Sequence, residues 1–446
     1  MVKKRTDAIL VVMCDPSGWQ WGLALEYINS EINCGRECKV LDLSFLGELR
    51  AKTTLKIIFG GFKVRKEGLK YLRSKDVEVN VVYTKFFPRK RKDLINSDLF
   101  SNVSINSIVE MSGILDADLR SRNKQSNKIS KYENKKRDRT LRVITDFGLG
   151  DYLKVVVVNG RFTKSATLKR YCALSGIDCE LIEGGGKANS FEVFNEGPHS
   201  VKEVTYKMKN FWEQGTEPAR SEIAKRYLQD LVKNKSFPGL DFRKSMVEGK
   251  LPELSNKKIC VFFASSEWEY VGIGDPIESN SFKNQVEAFD CLIQELDRNL
   301  WDVYLRLHPS RPGEDLSASE EVVWKKFYDD KRLIVVESDS NIDSLALGHK
   351  ADLIASFGSS INTEFIARGF QNVVTLGPAI WNSLIPERYC PSSTTLRSYL
   401  VTQQKLVSIN QLYPWAYFRS ESGKPFQIIS TDSRTGVWKL NYAENS

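Results

Sequence analysis

Short apolar runs alternate with amphipathic stretches along most of this chain, a pattern typical of strands and helices that follow one another. In the first half, residues 8–14 are apolar throughout, which predicts a strand covered on both faces. Residues 154–158 predict a second such strand, and Gly176 ends a helix predicted over 163–175. Further strands are predicted at 39–43, 56–59, 77–83 and 179–182. Strand, helix and strand in this order form βαβ units, which imply a parallel sheet.

The alternation starts again in the second half, after a stretch at 201–256 that predicts a helical linker. Apolar residues from Phe282 to Leu300 recur at steps of three and four, which predicts an amphipathic helix. Strands are predicted at 258–264, 302–307, 333–336, 353–356 and 373–376, and helices near 342–349 and 360–368. The pattern predicts two α/β domains, at 1–200 and 257–400, and a segment at 401–446 that packs back on the first domain.

The composition is that of a globular protein: of 446 residues, 41% are hydrophobic and 27% are charged. No apolar run approaches the ~18 residues of a membrane-spanning helix. The eight cysteines are dispersed, as expected of reduced thiols in a cytoplasmic protein. With three histidines in the chain, no zinc site is predicted.

Most of the net charge of +9 lies in one segment. Residues 120–142 carry ten basic and two acidic side chains, so an irregular basic insertion is predicted at about 119–142. Such a segment is commonly a solvated loop. The alternative is attraction to a charged glycan or to an anionic membrane, and membrane attraction would bring a cytoplasmic chain to the inner face of the plasma membrane. Nucleic-acid binding would call for stacking aromatics, and Tyr132 is the only aromatic residue between 120 and 142.

Polar loops follow the predicted strands of the second domain, at the edge where open parallel sheets bind ligands. Ser265 and Ser266 follow its first strand. Arg306 and His308 are two residues apart and so face one side of a strand end, where Pro309 fixes the turn. An arginine can grip a phosphate with its planar fork, and a histidine can donate a hydrogen bond or a proton. The alternative is a histidine that only satisfies the strand end.

Gly358, Ser359 and Ser360 lead into a predicted helix, and Glu364 lies one turn further along. The N–H groups and hydroxyls of a helix start can bind an anion. A capping role alone would also explain Ser359. Next to a cationic loop, this serine-rich helix start suits a phosphate ester, and Glu364 could accept hydrogen bonds from a ribose.

These motifs resemble the donor-binding domain of GT-B glycosyltransferases, and more narrowly bacterial capsule and lipopolysaccharide enzymes of the sialyl- and Kdo-transferase type. Those families use a His-Pro motif and a downstream Ser-Ser motif for the phosphate and ribose of a CMP-sugar, matched here by His308-Pro309 and Ser359-Ser360. The resemblance covers about 257–385. It implies two Rossmann-like domains facing a central cleft, the first binding a glycan or lipid-linked glycan acceptor and the second a nucleotide-sugar.

The resemblance also implies a transferase without a cofactor or a required metal, in which an acid of the first domain is the general base. The Asp/Glu-Asp-Gly motif of the sialyltransferase families has no clean copy here, so Asp15, Asp146 and Glu183 are all candidates. Asp15 and Glu183 end predicted strands. Asn159 and Arg161, which follow the strand at 154–158, are assigned to the acceptor side.

Asp116-Ala-Asp118 imitates the metal motif of GT-A enzymes but is interpreted as a solvated loop. Three alternative functions stay open: a UDP-sugar or GDP-sugar transferase of the same fold, a sugar-nucleotide 2-epimerase, and a glycan- or nucleotide-binding protein without catalysis. No nucleic-acid partner is expected.

Overall fold

The computed structural model describes residues 6–44, 46, 54–82, 100, 124–233, 246–265, 281–308, 324–331, 333–402, 405–432 and 437–441. At 54–62, 124–126, 432 and 437 only the backbone is described. These residues form two compact units. The first contains the described residues up to Pro198 and those from Glu421 onward, and the second contains His199–Ser420.

The first 200 residues supply the strands and helices of the first unit. They are β1 (Ile9–Met13), α1 (Gly18–Asn33), β2 (Cys38–Asp42), α2 (Thr54–Ser74), β3 (Glu78–Val81), α3 (Lys124–Phe147), β4 (Lys154–Val158), α4 (Thr163–Ser175), β5 (Cys179–Gly184) and β6 (Ser190–Phe194).

The elements of the second unit follow. They are α5 (Val201–Gln214), α6 (Ala219–Val232), β7 (Lys258–Phe263), α7 (Gln285–Glu295), β8 (Trp301–Arg306), β9 (Leu333–Val336), α8 (Ser344–His349), β10 (Leu353–Ser356), α9 (Ile361–Ala367), β11 (Val373–Thr375), α10 (Ser393–Val401) and α11 (Tyr413–Glu421). The chain ends on β12 (Lys424–Pro425), β13 (Ile429–Asp432) and β14 (Val437–Leu440), which belong to the first unit.

The first sheet has the strand order β12-β6-β5-β4-β1-β2-β3 among the described residues. Strands β1 to β5 run parallel, and β6 and β12 add an antiparallel edge. All five residues of β1 are buried, as expected for a central strand with helices on both faces. The chain passes from β1 to β2 and β3 on one side and then returns to β4 on the other, so the strand order reverses between β1 and β4.

The C-terminal segment completes the first unit. The carboxylate of Glu26, which is buried in α1, accepts hydrogen bonds from the backbone N–H groups of Gln427, Ile428 and Ile429 at 2.5–2.9 Å. The β13–β14 hairpin lies against α1 at Gly22, where an added Cβ would be 2.3 Å from a ring carbon of Trp438. The hairpin therefore needs glycine at this position of α1.

The second sheet has the order β11-β10-β7-β8-β9, with all strand pairs parallel. Its core on one face joins Phe262 of β7 to Phe289 of α7 and to Trp324. On the other face, the ring of Phe263 lies 5.7 Å from that of Phe365 of α9. The strand order reverses between β7 and β10. The predicted α/β class is thus confirmed in both units, while the facing arrangement of the domains stays a prediction.

Two predictions of local structure were wrong. Residues 56–59, predicted as a strand, lie inside α2. The basic segment predicted as an irregular insertion is helical from Lys124 onward, because one buried stripe on α3 is enough to pack it. The stretch at 201–232 is helical as predicted, but its helices α5 and α6 belong to the second unit and not to a separate linker.

The predicted C-terminal segment at 401–446 is shared between the two units. Residues 401–420 belong to the second unit, and only those from Glu421 onward belong to the first. No helix among the described residues is both long and apolar enough to cross a membrane.

Candidate functional site

The strand order of the second sheet reverses between β7 and β10, so the loops after these two neighbouring strands leave their carboxyl ends in opposite directions. Ligands of doubly wound sheets bind at such a point, because the loops leave it in opposite directions. Ser265 follows β7 here, and Gly358 and Ser359 follow β10. The predicted donor residues are therefore brought to the edge where chemistry is expected.

Ser265 combines a fixed backbone with a free side chain. Its N–H donates to Gln285 Oε1 at 2.9 Å, and Gln285 Nε2 donates back to the Ser265 carbonyl at 2.7 Å. Ser265 is 3% exposed, and its hydroxyl has no hydrogen-bond partner among the described residues. Alternation along β7 places it on the face of Phe263, which is the side of α9. A buried hydroxyl is seldom left unsatisfied unless a ligand or water completes it.

The turn after β10 is held by a second serine. Ser356 is fully buried, and its Oγ accepts a hydrogen bond from the Ser359 N–H at 3.2 Å. Ser359 Oγ in turn accepts from the Ile361 N–H at 3.5 Å, so a weak capping role is present. Ser360 is exposed, and Gly358 is half-buried beside it. The turn therefore presents two hydroxyl-bearing residues from a rigid base.

Buried contacts fix α9 behind this turn. Asn362 Nδ2 donates to the Val374 carbonyl at 3.0 Å and to Thr375 Oγ1 at 2.9 Å. Gly377 lies so close to Phe357 that an added Cβ would be 2.0 Å from its carbonyl oxygen. Glu364, the predicted ribose ligand, is half-buried in the first turn of α9.

Arg306, which is predicted as a phosphate ligand, is held in place by buried contacts within the second unit. The side chain is 1% exposed, and Nε donates to Ser344 Oγ at 2.9 Å. Its Nη1 donates to the carbonyls of Val336 and Glu337. The guanidinium therefore ties β8 to the end of β9 and to the start of α8.

His308 lies two residues beyond β8 and is half-buried. The neighbouring Leu307 N–H donates to the Val336 carbonyl at 2.9 Å, which extends the ladder up to the histidine. His308 thus stands at the strand end on a fixed backbone, as predicted. The remaining predicted donor residues, Ser266 and Pro309, lie outside the described residues.

The first unit has its own reversal point, between β1 and β4. Asp15 follows β1 and is half-buried, and its Oδ1 accepts a hydrogen bond from the Ser17 N–H at 2.8 Å. Ser44 Oγ donates to the Asp15 carbonyl at 3.3 Å and so links this loop to the one after β2. Asp15 is therefore a turn residue at the predicted edge.

Glu183 lies with both predicted acceptor-side residues. Asn159 Nδ2 donates to Glu183 Oε2 at 2.5 Å, and the Arg161 N–H donates to Asn159 Oδ1 at 3.2 Å. Asn159 has a φ of 66°, a left-handed conformation that asparagine tolerates better than most residues. The loop after β4 is thereby shaped to hold the carboxylate at the end of β5.

The surroundings of Glu183 raise the pKa of its carboxyl group above that of an ordinary glutamate. Burial raises its pKa, while hydrogen bonds from Asn159 and the Gly184 N–H and the charge of Arg161 oppose the rise. A carboxylate with a raised pKa is better matched to proton transfer near neutral pH. Asp146, the third candidate acid, is exposed in the last turn of α3.

Sequence reasoning missed Lys164, in the first turn of α4. It is 4% exposed, and its Nζ donates to the carbonyls of Leu43 and Ser44 at 3.0 and 3.1 Å. The ammonium therefore joins α4 to the loop after β2, near the point where the strand order reverses. A lysine three residues after the polar turn at 159–161 was the available signal.

Among the described residues, no group of three or more His, Cys, Asp or Glu side chains comes together as a metal site would require. Asp116 and Asp118 lie outside the described residues.

No family model matches the chain, and neither does any curated protein. Among solved structures, the chain is similar to KpsC, a beta Kdo 2,4 transferase of Thermosulfurimonas dismutans, with 12% identity and a TM-score of 0.39 over 68% of this chain and 90% of that one. It is also similar to the UDP-GlcNAc 2-epimerase of Methanocaldococcus jannaschii, with 10% identity and a TM-score of 0.31 over 91% and 96% of the two chains. For the glycotransferase of kitacinnamycin, the identity is 11% and the TM-score 0.24 over 92% and 94%.

Proposed function

We propose that this chain is a glycosyltransferase that moves a sugar from a nucleotide-sugar to a glycan acceptor of a bacterial surface polysaccharide. The second unit binds the donor, for which a CMP-sugar such as CMP-Kdo or CMP-sialic acid is favoured by the His308 and Ser359-Ser360 motifs. The first unit binds the acceptor and supplies the base. No cofactor and no metal take part.

The observation that carries the proposal is the unsatisfied hydroxyl of Ser265 at the point where the second sheet reverses its strand order. A phosphate oxygen would give this hydroxyl the acceptor that the described residues do not provide. Ser359 and Ser360 follow the neighbouring strand, and His308 follows the strand on the other side of β7. Together these four residues offer neutral or cationic donors to a phosphate.

Glu183 is the favoured base because Asn159 and Arg161 surround it at the reversal point of the first sheet. In an inverting transfer, its carboxylate takes the proton of the acceptor hydroxyl as the oxygen bonds to the anomeric carbon. The bond from that carbon to the phosphate oxygen breaks, and the electron pair leaves on the phosphate. Hydrogen bonds from Ser265, Ser359 and His308 would stabilise that developing charge.

Calorimetric titration tests the donor assignment. Wild type, Ser265→Ala and His308→Ala are titrated with CMP, UDP and GDP, each with and without EDTA. Binding of CMP that resists EDTA and weakens in both variants is expected. A preference for UDP or GDP would overturn the CMP-sugar donor and keep the site, whereas no binding of any nucleotide would overturn the site itself.

Product analysis tests the reaction class. The protein is incubated with a nucleotide-sugar that contains the nucleotide it binds, together with a mixture of glycan acceptors. The products are separated by mass and by sugar configuration. Transfer to an acceptor is expected. Isomerisation of the nucleotide-sugar without an acceptor would make the chain an epimerase, and an unchanged nucleotide-sugar would leave a binding protein.

A further inference from the structure

Helix α3 carries a row of basic side chains along one face. Lys128, Lys131, Lys135, Arg139 and Arg142 are all exposed. Their spacing of three, four, four and three residues keeps them within about 80° of the helix circumference and spreads them over about 21 Å of its length. These five residues are called the basic stripe.

The opposite face of α3 is buried in the first unit. Glu133, Thr140 and Leu141 are each more than nine-tenths buried. Glu133 accepts hydrogen bonds from Thr163 Oγ1 at the start of α4 and from Lys136 Nζ, the latter at 3.0 Å. Because that face is fixed, the helix can present only the basic stripe and its flanks outward.

The basic residues on the flanks of α3 are paired, in contrast to those of the stripe. Lys136 lies 3.0 Å from Glu133, and Arg137 lies 2.8 Å from Asp138. Within the described part of the chain, no side chain of the basic stripe has an ion pair or a hydrogen bond. The pairing on this helix therefore leaves a row of cations available to a partner.

The stripe also weakens the helix that carries it. Like charges three or four residues apart repel each other along a helix by a few tenths of a kcal/mol per pair. One acid, Asp146, is exposed on the same face, four residues beyond Arg142 and at the very end of the helix. A partner with closely spaced negative charges would relieve this repulsion along the whole row.

We infer that the basic stripe binds the surface of an anionic membrane. A straight row of cations on the outer side of a helix can touch a plane of lipid headgroups along its full length. Each lysine or arginine at such a surface strengthens binding roughly fivefold. The stripe contains no apolar side chain, so attachment is electrostatic, without insertion, and weakens as salt increases.

A nucleic acid fits the stripe less well. A helix that enters the major groove is flanked by phosphates on both sides, and here the far side of α3 is buried against α4. Single strands are bound with stacking aromatics, and the one aromatic ring within the stripe's span, that of Tyr132, is half-buried with Lys136 Nζ 5.0 Å from its centre. Membrane attachment through the stripe is independent of the donor chemistry proposed above.

Vesicle co-sedimentation tests this attachment. Full-length protein is mixed with vesicles of phosphatidylcholine alone and with vesicles that also contain phosphatidylglycerol, at low and high salt. The variant Lys131→Gln/Lys135→Gln/Arg139→Gln removes three cations and keeps good helix formers. The control Lys209→Gln/Lys225→Gln/Arg226→Gln removes three exposed cations of α5 and α6, and so matches the net charge.

Wild type and the control are expected to bind only the anionic vesicles, and to release them in high salt. The stripe variant should bind them about 100-fold more weakly. Equal loss in both variants, or binding to phosphatidylcholine alone, would overturn the inference. The inference would also be overturned if the stripe variant still binds the anionic vesicles but loses affinity for duplex DNA or for a soluble anionic glycan. Nucleotide titration of the same variants should be unchanged, which separates this result from a failure of the donor site.

Discussion

A buried hydroxyl without a partner weakens a folded protein, and Ser265 carries one just beyond the carboxyl end of β7. We predict that Ser265→Ala leaves the free energy of unfolding unchanged or raises it by up to about 1 kcal/mol, because nothing is lost from the fold. If a phosphate is the missing partner, the same change weakens nucleotide binding about tenfold. Thermal unfolding and calorimetry on one preparation measure both effects.

Ser356 is the matched control for Ser265 because it ends the neighbouring strand and its hydroxyl is satisfied. Ser356→Ala removes the acceptor of the Ser359 N–H and is expected to lower the free energy of unfolding by about 1 kcal/mol. If Ser265→Ala destabilises the protein as much as Ser356→Ala does, its hydroxyl has a structural role instead. The assignment to a ligand would then fail.

Asn159 controls how readily Glu183 gives up its proton. Replacing Asn159 by Gly keeps the left-handed backbone and removes the amide that stabilises the charged carboxylate. The pKa of Glu183, already raised by burial, should rise further. A base works only above its pKa, so the acidic limb of kcat/KM should move to higher pH, by up to about one unit.

Asp15→Asn tests the competing base in the same assay. With Glu183 as the base, this variant keeps the acidic limb at the wild-type pH. An acidic limb that disappears in Asp15→Asn and stays in place in Asn159→Gly would assign the proton transfer to Asp15.

At the scale of elements, the packing of the C-terminal hairpin on α1 depends on one glycine. A Cβ at Gly22 would lie 2.3 and 2.8 Å from two ring carbons of Trp438, and a rigid indole can yield only by moving the hairpin. We predict that Gly22→Ala lowers the free energy of unfolding by about 1–3 kcal/mol, although alanine is the better helix former. Chemical denaturation measures the change.

Gly18 lies one helical turn earlier and gives the control. Its Cβ would meet Val64 and Trp438 at the ordinary contact distances of 3.5 and 3.6 Å, so Gly18→Ala should be tolerated. The cost of Gly22→Ala should also fall in a Trp438→Ala background, since the clash is then absent. A cost that stays the same in that background would show that the indole is not its cause.

Elements whose two ends are marked in the sequence were predicted well, whereas one short apolar run was assigned to the wrong kind of element. The helix over 163–175 and the strands at 333–336 and 353–356 match the structure residue for residue, because a glycine, a turn or a sharp change in polarity bounds each of them. Three apolar residues in a row, such as Ile57 to Phe59, fit a strand or a buried helix equally, and 56–59 turned out to be helical.

The low content of apolar residues led to a wrong prediction of irregular structure for the basic segment. The segment at 119–142 has few apolar residues, yet a helix needs only one buried stripe, which Thr140, Leu141 and Ile144 supply together with Glu133. The buried Glu133 accepts a hydrogen bond from Thr163, which is 30 residues away, and no local pattern reveals that contact.

In the candidate site, too, positions set by local pattern could be predicted, and contacts between distant residues could not. The structure has Ser265, Ser359 and His308 at one edge of the second sheet, as predicted, since parallel strands bring their carboxyl ends together. What Arg306 does there could not be predicted, because its partners at 336, 337 and 344 come from two other elements. The same holds for Lys164, whose acceptors lie on the loop after β2.

At the scale of the whole molecule, the first unit is made from both ends of the chain. Its last part, from Glu421 onward, follows the entire second unit in sequence. This part pairs β12 with β6, and its Ser422 Oγ donates to buried Glu192. During synthesis, the first unit is therefore completed only after the whole second unit has been made.

Deletion of residues 421–446 tests this dependence. The deletion removes the three backbone N–H groups that donate to Glu26 and the β13–β14 hairpin that covers α1, so the first unit loses both hydrogen bonds and buried apolar contacts. We predict that amide hydrogen exchange accelerates in β1, β2 and β4 and stays unchanged in β7, β8 and β10. Nucleotide titration should also stay unchanged, because the residues proposed to bind the donor all lie in the second unit. Faster exchange in both sheets would mean that the second unit also depends on these residues, and unchanged exchange in both would mean that the C-terminal segment only rests on a unit already complete.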